Sequence, residues 1–229
     1  MRKTNVTLRE SNGILYSYSG GKRQNFKPWL GDLFAGMYDR IMEKSVFPKK
    51  FQASLETHEQ VLKEVLENVH SRDVLELACG SGAISKVLPP NNRYTGLDIS
   101  KGLLKIASKR LRSAGFSNPR LILASADNPP LEDTSFDVCL CQLSFNFFDN
   151  IPGVAEHVAR LLRPGGFLLA SIPVPERKQA KSTIHGTLLS GEQWQQLFTE
   201  KRMDFSLLEQ QNGALLYFRA EKTPSSHRA

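Results

Sequence analysis

The sequence predicts an α/β fold in which helices cover both faces of a doubly wound, mostly parallel sheet of seven strands. From residue 54 onward, short apolar runs of strand length alternate with amphipathic stretches at helical spacing, as in a parallel sheet with crossover helices. The last two apolar runs flank Asn212-Gly213, a dipeptide typical of antiparallel hairpins. A chain of 229 residues with 40% hydrophobic and 23% charged residues is long enough for one such domain.

The first predicted βαβ unit carries the marks of a nucleoside site. The apolar run 74–78 predicts a buried strand, and Gly80 and Gly82 after it let the backbone turn tightly and approach a ligand where a Cβ would clash. Asp98 stands at the carboxyl end of the next predicted strand. Open parallel sheets bind ligands there, and an acid in that place can accept hydrogen bonds from two ribose hydroxyls.

The glycine turn differs from a dinucleotide-binding turn. That turn reads G-x-G-x-x-G and offers a helix N-terminus to a pyrophosphate, whereas here Ser85 stands at the third glycine position counted from Gly80. Glu76 lies inside the preceding strand, where a carboxylate disfavours a phosphate and suits a cation such as an amino group. Both features disfavour an NAD-dependent oxidoreductase, which is kept as an alternative.

The other elements follow in chain order. Helices are predicted over residues 54–69, 83–88, 101–114, 151–162 and 190–201, and strands over 74–78, 94–97, 120–124, 137–141, 167–172, 205–210 and 214–220. Ser100 is a plausible N-cap of the third helix, and Gly115 ends it. The first helix is assigned no chemistry, and His58 on it is expected at the surface or at its boundary.

The positive charge is concentrated near the N-terminus. Residues 1–50 hold ten Lys and Arg against four Asp and Glu, whereas the rest of the chain holds twenty against nineteen. Three interpretations are open: a solvated tail, a surface for anionic lipid or an acidic substrate, and a nucleic-acid contact. Within this segment we expect an irregular arm over 4–19, a hinge-like break over 20–23 and a short amphipathic helix over 34–42.

Three regions are therefore predicted: a basic arm or lid over 1–50, a main domain over 51–222 and a polar tail over 223–229. No run of about 18 apolar residues could span a membrane, and no apolar stretch follows the basic start as in a signal peptide. The three cysteines lack the spacing of a zinc site, so we expect buried thiols in a reducing cytoplasm and no metal.

Several segments resemble the class I S-adenosylmethionine-dependent methyltransferases. Residues 75–82, Leu-Glu-Leu-Ala-Cys-Gly-Ser-Gly, resemble the first motif of that family, which usually has Gly where Ala78 stands. Asp98 and Asp127, each just past the carboxyl end of a predicted strand, match later motifs. The turn 162–166, Leu-Arg-Pro-Gly-Gly, resembles the family's late glycine turn. The order and spacing of these segments are those of the family.

The resemblance covers residues 54–222 and implies a Rossmann-like fold, S-adenosylmethionine as cofactor and a small-molecule methyl acceptor. Tyr38-Asp39 is similar to the pair that introduces an N-terminal lid in ubiquinone, menaquinone and phospholipid methyltransferases, so Tyr38 would cap the methionine end. The other implied cofactor contacts are Glu76, Ala78, Gly80 and Gly82 at the methionine end, Asp98 on the ribose, Ile99, Ala126 and Asp127 on the adenine, and Gln142 on the floor towards the acceptor.

No catalytic residue is predicted, because a sulfonium leaving group needs no proton. Apolar and aromatic residues over 142–148 favour a lipid-like, quinone or aromatic acceptor. A nucleic-acid methyltransferase and a non-catalytic S-adenosylmethionine-binding assembly factor are the alternatives. Residues 127–130, Asp-Asn-Pro-Pro, resemble a nucleobase-methylating motif, but they precede the fourth strand and Leu131 replaces the motif's aromatic residue. We expect no stable nucleic-acid partner, allow a peripheral membrane contact through the basic N-terminus, and leave the oligomeric state open.

Overall fold

The structure, a computed structural model, describes residues 6–26, 35–179 and 183–224. Its strands are β1 (Val6–Ser11), β2 (Ile14–Ser19), β3 (Lys22–Arg23), β4 (Asp73–Leu77), β5 (Arg93–Asp98), β6 (Arg120–Leu123), β7 (Phe136–Gln142), β8 (Leu162–Pro173), β9 (Met203–Asn212) and β10 (Leu215–Lys222). Its α-helices are α1 (Tyr38–Ile41), α2 (Leu55–Leu66), α3 (Lys101–Ser113), α4 (Ile151–Leu161) and α5 (Gly191–Glu200).

All the strands belong to one ten-stranded sheet in the order β1-β2-β6-β5-β4-β7-β8-β10-β9, with β3 paired to β2. The strands from β6 to β8 run parallel, whereas β10 is antiparallel to both β8 and β9. Strands β4 to β10 confirm the predicted seven-stranded sheet and its C-terminal hairpin. The chain winds to one side of β4 through β5 and β6 and to the other through β7 and β8. The carboxyl ends of β4 and β7 therefore form the place where such sheets bind ligands.

The N-terminal segment extends this sheet. β1 and β2 form a hairpin whose turn, Asn12-Gly13, has positive φ at both residues (54° and 73°), as a two-residue hairpin turn requires. β2 then pairs in parallel with β6, with Tyr16 beside Leu123. The irregular arm predicted over 4–19 is wrong for the described residues. The hinge-like break is also wrong, because Gly20-Gly21 is a tight turn between β2 and β3.

The weak alternation of β2 concealed this strand. Ser17 is buried at 1% exposure, where an apolar residue would be expected. Its hydroxyl lies 3.2 Å from the Leu123 carbonyl oxygen and 2.8 Å from Gln24 Oε1, so burial leaves it hydrogen-bonded.

Helices cover both faces of the sheet, as predicted. One face packs against α4 and α5, and the other against α2 and α3. Serine or asparagine side chains cap four of these helices. Each accepts a hydrogen bond from the backbone amide three residues further along the chain: Ser54, Ser100, Asn150 and Ser190. Phe47 and Phe51, in a π-helical segment that continues α1, pack with Val61, Leu215 and Tyr217 in a third cluster.

Two predicted helices differ in extent. The one expected over 83–88 is a single 3-10 turn, Ala83–Lys86, which lies between the left-handed Gly82 and Pro89-Pro90. Of the one expected over 34–42, residue 34 lies outside the described residues; the rest is a 3-10 turn, Ala35–Met37, followed by α1 and by the π-helical segment Met42–Phe51. The three cysteines are free and buried, as predicted. In the part of the chain that the structure describes, none of the helices has the length and apolarity needed to cross a membrane.

Candidate functional site

Two adjoining cavities lie at the carboxyl ends of β4, β5 and β7. The larger has a volume of about 600 Å³ and the smaller about 150 Å³. Both are lined by Tyr38, Ala78, Gly80, Leu143 and Ser144, which separate one cavity from the other. The site thus consists of two compartments that share one wall.

The glycine turn after β4 forms part of that wall. Ala78, Gly80 and Gly82 all have positive φ, at 51°, 54° and 72°. Glycine is favoured at 82, because a Cβ there would strain this φ and would lie 3.1 Å from the Cα of Ala107 in α3. Ala78, by contrast, adopts the left-handed conformation with a Cβ, which costs energy that glycine would not. Ala78, which stands where the family motif usually has Gly, therefore has a strained backbone.

Asp98 joins the glycine turn to α3. Its side chain is 8% exposed and lines the larger cavity. The Gly80 amide donates to Asp98 Oδ2 at 2.8 Å, and the Ser100 amide donates to Asp98 Oδ1 at 2.8 Å. One carboxylate therefore holds both the turn after β4 and the start of the helix after β5.

Glu76 lies beneath the turn and lines the smaller cavity at 5% exposure. The Tyr94 hydroxyl donates a short hydrogen bond to Glu76 Oε2. Burial raises the pKa of Glu76 to about 8, and the negative charge of Asp98 adds to the rise, against the opposing effect of the Tyr94 hydrogen bond. The carboxyl is thus largely neutral at pH 7 in the free protein, and a cation placed beside it would favour its ionised form.

Tyr38 faces the glycine turn from the N-terminal side. A Cβ built on Gly80 would lie 3.8 Å from Tyr38 Cε1 and 3.9 Å from its hydroxyl oxygen. Burial, followed by the negative charges of Asp98, Asp39 and Glu76, raises the pKa of Tyr38 to about 12. The phenol therefore stays neutral over the physiological range and presents a ring to both cavities.

Asp39 fastens this tyrosine to the main domain. Ser81 of the glycine turn donates to Asp39 Oδ1 at 2.6 Å, and Arg110 of α3 donates to both Ser81 Oγ, at 2.9 Å, and Asp39 Oδ2. Partial burial raises the pKa of Asp39, but the hydrogen bonds and charge of Arg110 and the Ser81 hydroxyl outweigh it and hold the pKa below its usual value. We call these three residues the Asp39 latch. Sequence analysis singled out Asp39 but missed its two partners.

The remaining predicted adenine contacts come together in the larger cavity. Ile99, Ala126 and Asp127 all line it, together with Asp98. Ser125 Oγ donates to Asp127 Oδ2 at 2.8 Å, and the Asn150 amide donates to Asp127 Oδ1 at 3.1 Å, so this carboxylate has a fixed orientation.

Gln142 lies on the other side of the shared wall, in the smaller cavity. Its Nε2 donates to the Leu169 carbonyl oxygen at 2.9 Å, which fixes the amide orientation. Its Oε1 is buried and has no hydrogen-bond partner among the described residues. Burying an amide oxygen without a hydrogen bond lowers the stability of the fold, and a ligand that donates a hydrogen bond to it would remove this cost.

Two further residues of the site have features that the sequence did not indicate. Leu143 has a φ of 59°, rare for a bulky residue, and lies in the wall that both cavities share. His58, expected at the surface or at its boundary, is only 6% exposed and lines the smaller cavity. Its spacing from Leu55 and Leu62 on one helical face was the signal that could have revealed it.

Comparison with known proteins agrees with this geometry. Residues 75–170 match the family described as "Methyltransferase domain". The demethylmenaquinone methyltransferase of Thermotoga maritima is 31% identical over 177 residues, covering 74% of this chain and 72% of the relative. The chain belongs to the class I S-adenosylmethionine-dependent methyltransferases. It is therefore an enzyme that uses S-adenosylmethionine, and the NAD-dependent alternative falls away.

Other relatives of this methyltransferase match over shorter stretches. The nocamycin O-methyltransferase of Saccharothrix syringae is 28% identical over 151 residues, 63% of this chain and 50% of the relative. The phthiotriol/phenolphthiotriol dimycocerosates methyltransferase 1 of Mycobacterium ulcerans is 35% identical over 100 residues, 42% of this chain and 35% of the relative.

Solved structures share the fold. A possible histamine N-methyltransferase from Thermotoga maritima superposes with a TM-score of 0.61 at 19% identity, covering 85% of this chain and 98% of that one. The [4+2]-cyclase SpnF superposes with a TM-score of 0.67 at 14% identity, covering 86% of this chain and 94% of that one. A fold that also carries a cyclase does not by itself define the reaction, so the acceptor has to be argued from the site.

The buried carboxyl of Glu76 makes the stability of the methyltransferase depend on pH. Its folded-state pKa of about 8 lies above its ordinary value of 4.5, so the stability contribution is full below pH 4.5 and is lost as the pH rises towards 8. Glu76→Gln remains neutral and avoids this loss. Without cofactor, the variant should gain free energy of unfolding over the wild type by on the order of 3 kcal/mol between pH 5 and pH 8.

Urea unfolding at a series of pH values measures this difference. Glu67→Gln, an exposed carboxyl just after α2, is the matched control and should follow the wild-type profile. Parallel profiles for Glu76→Gln and the wild type would contradict the raised pKa.

Proposed function

We propose that this enzyme transfers the methyl group of S-adenosylmethionine to a lipid-like, quinone or aromatic small molecule. The observation that carries the acceptor class is the position of the exposed apolar side chains. Of the five large ones exposed among the described residues, Ile99 and Phe147 line the larger cavity, and Met37 and Ile41 flank Tyr38. An apolar rim of this kind suits an apolar guest. The acceptor named for the Thermotoga maritima relative, a demethylmenaquinone, is of this class.

The described residues fit the cofactor. The larger cavity, at about 600 Å³ and with Asp98 and Asp127 on its wall, suits the adenosine part. The smaller cavity holds Glu76 and the unpartnered Gln142 Oε1, two acceptors suited to the amino group of the methionine part. We assign Asp98 to the ribose hydroxyls, Asp127 to the adenine amino group, and Ile99 and Ala126 to the faces and edge of the base. The backbone of Ala78 and Gly80 lies under the methionine part, whereas Gly82 lines neither cavity and packs against Ala107 of α3.

The reaction requires placement more than acid–base chemistry. S-adenosylmethionine supplies an electrophilic methyl group on a sulfonium that leaves without a proton. The task of the chain is then to hold the acceptor atom in line, about 3 Å from the methyl carbon, and to exclude water. Tyr38 contributes by covering the shared wall with a neutral ring whose face attracts the sulfonium. No side chain is assigned as a general base.

We propose that the part of the predicted arm from residue 35 to residue 50 is the lid and that residues 51–222 form the domain it closes. Residues 1–5, 27–34 and 225–229 lie outside the described chain. The Asp39 latch ties the lid to the glycine turn and to α3.

The exposed lysines of α3 support a peripheral contact with an anionic membrane. Lys101, Lys105 and Lys109 recur every four residues and therefore lie on one helical face. The first of these lysines, Lys101, comes two residues after Ile99, which lies at the apolar rim. A basic face beside an apolar mouth would hold the site against a bilayer that contains the acceptor.

Cofactor binding is the first test. Calorimetry should give micromolar binding of S-adenosylmethionine and S-adenosylhomocysteine and none of NAD. Asp98→Asn removes the charge and one acceptor at the ribose position, so affinity should fall about 10- to 100-fold. Asp204→Asn, an exposed acid of β9, is the control and should bind as the wild type does. A folded Asp98→Asn protein with unchanged affinity would refute the ribose assignment.

The Asp39 latch should slow the dissociation of the cofactor. Asp39→Ala removes the ion pair and the Ser81 hydrogen bond, so S-adenosylhomocysteine should dissociate about three- to tenfold faster in stopped-flow measurements. Glu43→Ala removes an exposed acid from the same segment and should leave the rate unchanged. Equal rates in Asp39→Ala and the wild type would rule out closure by this segment.

Vesicle binding tests the membrane contact. The protein should sediment with vesicles containing phosphatidylserine and not with pure phosphatidylcholine. Replacing Lys101, Lys105 and Lys109 by Glu should weaken binding by at least about tenfold. Lys63→Glu, an exposed lysine of α2, is the control. Preferential, salt-dependent binding to a single-stranded RNA oligonucleotide would instead favour the nucleic-acid alternative.

A further inference from the structure

A buried histidine borders the smaller cavity without a role in the assignments above. His58 belongs to α2 and is 6% exposed. Its ring centroid lies 5.3 Å from that of Phe47 and 5.7 Å from that of Tyr217. An apolar residue would fill this position on the buried face of α2 without the cost of burying two ring nitrogens.

A chain of hydrogen bonds orients this imidazole. The Ser54 amide donates to Asn212 Oδ1 at 2.7 Å, so the other amide atom, Asn212 Nδ2, faces the Ser54 carbonyl and the Tyr217 hydroxyl, each at 2.9 Å. Tyr217 Oη therefore accepts from Asn212. Its own proton is then available for donation to His58 Nδ1, which lies 3.2 Å away.

This polarity defines the tautomer. Because His58 Nδ1 accepts from Tyr217, the ring proton lies on Nε2. Burial lowers the pKa of His58 to about 4, so the ring remains neutral at physiological pH. The network, which spans 159 residues from His58 to Tyr217, thus holds one neutral N–H donor in a residue that lines the cavity.

We propose that His58 is a ligand-binding residue whose Nε2–H donates a hydrogen bond to an oxygen of a molecule in the smaller cavity. Glu76 and Gln142 Oε1 supply acceptors in the same cavity, and His58 supplies a donor, so together they match a ligand that carries both an ammonium and an oxygen acceptor. The oxygen comes from the methionine carboxylate of the cofactor or from a carbonyl of the methyl acceptor. The proposal rests on the proposed function.

The test compares two ligands that differ only at the amino-acid end. S-adenosylhomocysteine has the carboxylate, and 5′-methylthioadenosine lacks the amino-acid group. His58→Phe keeps the ring packing but removes the donor. If His58 binds the carboxylate, the variant should bind S-adenosylhomocysteine about tenfold more weakly and 5′-methylthioadenosine as the wild type does. His58→Gln, which retains an N–H donor, should recover part of the loss.

A second arm separates the sources of the oxygen. Unchanged affinity for S-adenosylhomocysteine, with at least about fivefold weaker binding of a demethylmenaquinone analogue carrying one isoprenyl unit, would assign the oxygen to the acceptor. In His58→Phe the Tyr217 hydroxyl loses its hydrogen-bond acceptor. If that variant does not fold, the double variant His58→Phe/Tyr217→Phe, which also lacks the hydroxyl, takes its place in the binding measurements. His70→Phe, at an exposed histidine, is the control.

Two results would overturn the proposal: unchanged affinity for all three ligands, or an equal loss for S-adenosylhomocysteine and 5′-methylthioadenosine, which would indicate general damage. Wild-type protein that binds neither nucleoside would refute the cofactor assignments instead, so the two failures are distinguishable.

Discussion

The two hydrogen bonds that Asp98 accepts are the constraint on which the site depends. They join the amide of Gly80 after β4 to the amide of Ser100 before α3, so the ends of two neighbouring strands keep one geometry. The glycine turn can then lie with positive φ at Ala78 and Gly80. Both cavities and the contact with Tyr38 are built on that turn.

The interior of the site and the surface of the protein have opposite electrostatic character. The chain carries a net charge of +7, yet the groups that act on Tyr38 are all acids: Asp98, Asp39 and Glu76. Burying these acids together is unfavourable, and the raised pKa of Glu76 expresses that cost. A ligand that brings positive charge relieves it. The ammonium and sulfonium of S-adenosylmethionine have the required sign, whereas a dinucleotide pyrophosphate does not.

Local sequence patterns predicted strands β4 to β10 and the residues at their ends, because strand period, glycine turns and end-of-strand acids are all local features. They did not predict β2, since Ser17 is buried only through partners brought by β6 and by residue 24. They also missed the Asp39 latch, whose ion pair joins residues 71 positions apart, and the orientation of His58, whose partner is 159 positions away. Such contacts exist only after the sheet has formed.

The strained residues point to the functional centre of the site. Ala78 and Leu143 follow adjacent strands, and both have a positive φ that their side chains disfavour. Strain of this kind persists only where the surroundings hold it, and here the Leu143 amide is held by the Ser171 carbonyl at 2.8 Å. Both residues belong to the wall between the two cavities. In the proposed function the sulfonium lies at this wall, between the adenosine and methionine parts of the cofactor. Two of the eight non-glycine residues with positive φ among the described residues thus lie where the reacting atoms have to be aligned.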